Sequence, residues 1–136
     1  MRCRCATAAL ALAAVIGWVP LGCRRAAPPA VGGLYSVVDD EARYRIAKVV
    51  ALDADGVHVR LYKNRWPQRP GKVAPTDLSL GRVQDADGFG IGHMVLSPNE
   101  FASWRPVYIS REDLAPDELE GYRAWQRGRT GVLVGK

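Results

Sequence analysis

The chain has 136 residues, 48% hydrophobic and 24% charged, with a formal net charge of +5. That is room for one small domain and an appendage, and the balance excludes a chain disordered throughout. Two of the basic residues, Arg2 and Arg4, precede the first apolar run, so the surplus over the remaining chain is 5 − 2 = +3, too small to argue for nucleic-acid binding. All three cysteines, Cys3, Cys5 and Cys23, fall in the first 23 residues. The rest of the chain therefore has neither an internal disulfide nor a cysteine-based metal site.

The amino terminus reads as an export signal. Arg2 and Arg4 supply the positive region, Ala6 to Val19 is uncharged and mostly apolar, and Pro20, Leu21 and Gly22 lead to Cys23. A small residue before a cysteine at this place resembles the lipobox of bacterial lipoproteins. The resemblance implies that the Cys23 thiol carries a diacylglyceryl group and that cleavage makes Cys23 the first residue. Pro20 and Leu21 depart from that family's preferred residues, and Arg24-Arg25 adds positive charge where it opposes translocation. A retained signal anchor or a plain secretory signal remain the alternatives, and residues 6–22 are at the lower edge of the length that spans a bilayer. The expected organisation is a signal over 1–22, a lipidated cysteine and linker over 23–33, a β-rich domain over 34–127 and a tail over 128–136.

From Leu34 onward, short β-like runs alternate with turn signals. LYSVV (34–38) and YRIAKVVAL (44–52) read as strands, and DADG (53–56) as a hairpin turn leading into VHVRLY (57–62). In that last run Val57, Val59 and Leu61 point to one face and His58, Arg60 and Tyr62 to the other. KNRWPQRPGKVAPT (63–76), with three prolines, reads as a long loop. LSLGRV (78–83) is a further apolar run, and Met94 to Leu96 a candidate strand. SPNE (97–100) has the pattern of a capping box with Pro98 at the first helical position. VYI (107–109) reads as a last short strand. PDELEGYRAWQR (116–127) reads as a helix that places Leu119, Tyr122 and Trp125 on one stripe. The tail TGVLVGK adds an edge strand or frays. The expected fold is mainly β with a C-terminal helix, as a small SH3-like or partly open β-barrel. An α+β sheet with one packed helix is the alternative.

Chemistry-bearing motifs are sparse. DADGFGIGHM (85–94) lacks the ligand set of a calcium loop, the spacing of a phosphate loop and the following helix. A second DADG turn followed by a glycine bend is the expectation, and a hydrolase built on Asp85, Asp87 and His93 is the least favoured rival. No GxSxG occurs, and the acids at Glu112-Asp113 and Glu118/Glu120 are explained by helix capping and dipole effects. No catalytic residue, cofactor or metal is expected. Arg60, Lys63, Arg65, Arg69 and Lys72 interleave with Tyr62 and Trp66, a composition suited to nucleic acid, anionic headgroups or an acidic protein. An exported protein favours the latter two. The candidate binding residues are His58, Arg60, Tyr62, Arg65 and Trp66.

YKNRWPQRP, DADGFGIGH and ELEGYRAW, in that order, resemble a family of small bacterial proteins with no activity to transfer. The resemblance implies a stand-alone module over roughly 33–126, to which residues 1–32 are a separately added address. The expected function is therefore a membrane-tethered cell-envelope lipoprotein, non-enzymatic and protein-binding, with an immunity or inhibitor protein as one concrete version. A cytosolic nucleic-acid-binding module is the alternative if translation starts near Val31.

Overall fold

The computed structural model describes residues 28–128 and 133–134. Six strands form one antiparallel sheet: β1 (Gly33–Val38), β2 (Tyr44–Asp53), β3 (Gly56–Leu61), β4 (Ile91–Leu96), β5 (Val107–Arg111) and the two-residue β6 (Leu133–Val134). Their order is β5-β1-β2-β3-β4-β6, with β5 and β6 at opposite ends, so the sheet is open. Strands β1 to β4 run as a meander. The chain then crosses one face through α1 (Pro98–Ser103) and returns to pair β5 with β1. Beyond β5, a 3-10 turn at Pro116–Leu119 leads directly into α2 (Glu120–Gln126). The alternative of an α+β sheet with one packed C-terminal helix describes this architecture. The sequence pattern predicts one helix over 116–127, whereas its first turn is wound more tightly as 3-10.

The period-two alternation of β2 and β3 builds two different faces. Tyr35, Val37, Ala47, Val49, Val57, Val59 and Leu61 form the larger apolar cluster, closed by Phe101 of α1 with Trp104 packed beside it. Helix α1 starts where the sequence requires: Ser97 Oγ accepts from the Glu100 N–H, and the Glu100 carboxylate accepts from the Ser97 N–H. On the other face Leu34, Ile46 and Tyr62 form a smaller cluster, covered by Trp66, Val73, Leu78 and Leu80 from the long connection between β3 and β4. LSLGRV is not a strand. Leu78 and Leu80 serve as apolar plugs instead, and the backbone is held by bonds from Lys63 N–H to Ser79 O and from Gly90 N–H to Leu80 O. Register shifts interrupt the β1–β5, β2–β3 and β3–β4 ladders. Such bulges sharpen the twist and let a small sheet wrap its cover.

Candidate functional site

The second face is where the polar residues gather. Lys48 stands in the middle of β2, directly across from Arg60 of β3. Its ammonium is nearly buried and donates to Glu118 Oε2 at 2.7 Å and to the Asp113 carbonyl at 2.8 Å. The Glu118 carboxylate also accepts from the Ala115 N–H and, through Oε1, from the Tyr62 hydroxyl at 2.9 Å. Burial pushes the Glu118 carboxyl upward, but the donors from Lys48, Ala115 and Tyr62 outweigh it and hold the group below its ordinary value. Burial, and then the Glu118 charge, raise the Tyr62 hydroxyl strongly. The bonds from Lys48 and Tyr62 tie the segment before α2 to the sheet.

A second polar chain lies further along β3. His58 Nδ1 is 2.9 Å from His93 Nε2 of β4, and His58 Nε2 is 2.9 Å from Asp53 Oδ1. Asp53 accepts again from the N–H groups of Asp55 and Gly56, which closes the hairpin, and from the Tyr122 hydroxyl of α2. With Asp53 ionised, His58 Nε2 carries the donated proton, so in the neutral pair Nδ1 accepts and His93 Nε2 donates. Tyr122 and Trp125 set their rings edge-on to His58 at 4.7 and 4.8 Å between centroids. The His58 hydrogen bond is the main cause that lowers the Asp53 carboxyl.

The glycine-rich loop is an architectural turn. Asp85 accepts from the Arg82 N–H and from Lys63 Nζ, Asp87 accepts from the same ammonium, and Gly88 takes a φ of 87°. Only a glycine takes that conformation without steric cost. Asp85 and Asp87 turn to Lys63, while His93 turns to His58, so the three-residue hydrolase set is not assembled. Among the described residues, no group of three His, Cys, Asp or Glu is placed to hold a metal, and no helix is long and apolar enough to cross a membrane.

The sequence-based binding face needs correction. His58 is completely buried and Tyr62 is 7% exposed, because the connection and the C-terminal segment cover that side of β3. The expected exposed trio is thus a covered one. Arg60 keeps a 15% exposed side chain. Arg65 lies 3.3 Å from Asp39, too far out of line for a hydrogen bond, and 3.8 Å from Glu41. Trp66 is half-buried and exchanges two backbone bonds with Tyr44. Arg69 donates to the Ser36 carbonyl and lies over the Tyr44 ring. The basic run is therefore largely spent on internal contacts and offers no continuous cationic surface. Cys23, the expected lipidation site, lies outside the described residues.

An open cleft of about 430 Å³ remains between the sheet and the segment before α2, lined among others by Lys48, Arg60, Tyr62, Leu78, Asp113 and Glu118. Reasoning from sequence missed Glu118 and Asp113 as wall residues. The available signal was Lys48 itself: a lysine inside the apolar run IAKVV requires a partner once that strand is covered on both faces. By class the molecule is an open antiparallel sheet with one packed C-terminal helix. No protein-family model, no curated protein and no solved structure matches this chain.

Proposed function

We propose that this chain is a membrane-tethered protein of the bacterial cell envelope whose domain binds another protein and catalyses no reaction. The observation that carries the reading is strand β5. It pairs with β1 on one side only among the described residues, and it presents Val107 and Tyr108, each 48% exposed. An edge strand with unpaired backbone groups and apolar side chains accepts an added strand from a partner. The histidines, the central lysine and the loop carboxylates are engaged in internal pairs, which supports a binding role over a catalytic one. The tether rests on the sequence of residues 2–23, with Cys23 as the acylated residue and the domain in the periplasm or outside the membrane. An immunity or inhibitor protein is the concrete version, since a small tethered module that occupies a partner's surface needs no reactive group.

The test is a photo-crosslinking residue at Tyr108 in the full-length chain, expressed in its own envelope. A single discrete adduct is expected, absent when the probe stands at Leu52, which is also exposed but lies at the hairpin end of β2. Equal labelling from both positions would sink the edge-strand reading. The tether has its own measurement: intact mass of the membrane-extracted protein beside Cys23→Ala. Acyl mass on a chain beginning at Cys23, lost in the variant, is expected, and an unacylated chain would overturn it.

A further inference from the structure

Arg60 is the cation of the cleft that the fold pairs only in part: its guanidinium lies 5.9 Å from the centre of the Tyr62 ring and forms a long ion pair with Asp117. Its side chain is 15% exposed, its Nε is buried without a hydrogen-bond partner, and its nearest acid, Asp117, is 3.7 Å away on a side chain 67% exposed. A guanidinium has five N–H donors in a planar fork matched to a carboxylate. Of these only the Nε–H is buried without a hydrogen-bond partner, and a buried donor left unmet is costly unless a ligand fills the place. The rest of the wall is fixed. Lys48 and the Tyr62 hydroxyl both donate to Glu118, so their polar atoms are not directed at Arg60, which meets only the Tyr62 ring face.

We propose that this cleft binds a small zwitterion, whose carboxylate takes the Arg60 guanidinium and whose cationic group faces the acids on the same wall. The choice follows from the charges. With Lys48 and Glu118 paired, the cleft holds Arg60 against Glu112, Asp113 and Asp117. A phosphate or other polyanion meets that acidic rim and is repelled, whereas a simple cation leaves the buried Arg60 Nε–H unmet. A molecule carrying one charge of each sign satisfies both. About 430 Å³ suits a ligand of amino-acid size, and the Tyr62 ring and Leu78 supply apolar wall beside the charged groups. This site does not depend on the edge strand, so either proposal survives failure of the other.

The experiment is calorimetric titration of the detergent-purified full chain with free glycine, γ-aminobutyrate and ε-aminocaproate, beside acetate, propylamine and inorganic phosphate. At least one of the three zwitterions should bind about tenfold more tightly than acetate or propylamine. Arg60→Gln should lose that advantage while keeping the wild-type circular dichroism spectrum, since no hydrogen bond of the fold is removed. Asp117→Asn, on an exposed side chain, should bring the zwitterion down towards acetate. Three outcomes each overturn the proposal: no zwitterion better than acetate, unchanged binding in folded Arg60→Gln, or phosphate as the tightest probe.

Discussion

At Gly90 the loop comes back against β3 so closely that a Cβ would collide with the Leu61 carbonyl and crowd the Lys63 amide nitrogen. Gly90→Ala should therefore destabilise the domain by about 1–3 kcal/mol in denaturant unfolding. Gly71→Ala, where nothing lies within 4 Å, should change it by less than about 0.5 kcal/mol. Equal effects would mean that the close approach is not retained in solution. The buried pair is a sharper case. Lys48→Met alone leaves the Glu118 carboxylate covered without its counter-charge and should cost about 3–5 kcal/mol. Adding Glu118→Gln should recover a large part of that loss, because the uncompensated charge is gone. A double mutant as unstable as Lys48→Met would show that packing of the lysine stem, rather than charge, dominates.

Helix α2 has only seven residues, too short to be stable on its own. It is held by what its segment delivers to the sheet: Glu118 to Lys48 and Tyr62, Tyr122 to Asp53, and Trp125 against His58. Trp125→Ala should raise amide exchange throughout 116–126 while leaving β1 and β2 protected, since local opening follows the contacts that dock an element. Uniform loss of protection across the sheet would instead make α2 part of the global unfolding unit. Helix α1 depends on local chemistry. Ser97→Ala removes the acceptor for the Glu100 N–H and should cost about 1 kcal/mol. The two helices differ in how far they could be read from sequence. SPNE encodes a complete cap within four residues, whereas the tight first turn at Pro116–Leu119 follows from where Glu118 must reach.

For the molecule as a whole, pH dependence follows from the direction of the shifts. The carboxyls of Asp53, Asp85 and Glu118 lie below their ordinary values in the fold. Their contribution is complete above the unfolded-state values and drains away as pH falls through the folded ones. The part of the unfolding free energy that these carboxyls contribute should decline below about pH 4. Burial raises Tyr62, so stability should also fall above about pH 10, where the unfolded chain ionises first. A maximum displaced well into acid would contradict these directions. Partner capture through Tyr108 should vary little between low and high salt, because Lys63, Arg65 and Arg69 are engaged internally and the edge strand carries Val107 and Tyr108 at its exposed start. A steep salt dependence would return the basic run to the partner surface.

By itself the sequence determined the strands β1 to β3, the DADG hairpin, the capped α1 and the stripe of Tyr122 and Trp125 that faces the sheet. These are matters of period, turn chemistry and capping, which act over a few neighbouring residues. Only the tertiary structure decided which face of β3 is covered. The alternation of His58, Arg60 and Tyr62 with Val57, Val59 and Leu61 is the same for a solvated face and for one roofed by distant chain. The roof comes from residues 66–80 and 118–125, and loop closure over that separation leaves no local trace. For the same reason the contact of His58 with His93, the pairing of Lys48 with Glu118 and the buried, unmet Nε–H of Arg60 belong to the fold. Each depends on two segments meeting, and neither segment alone carries the information.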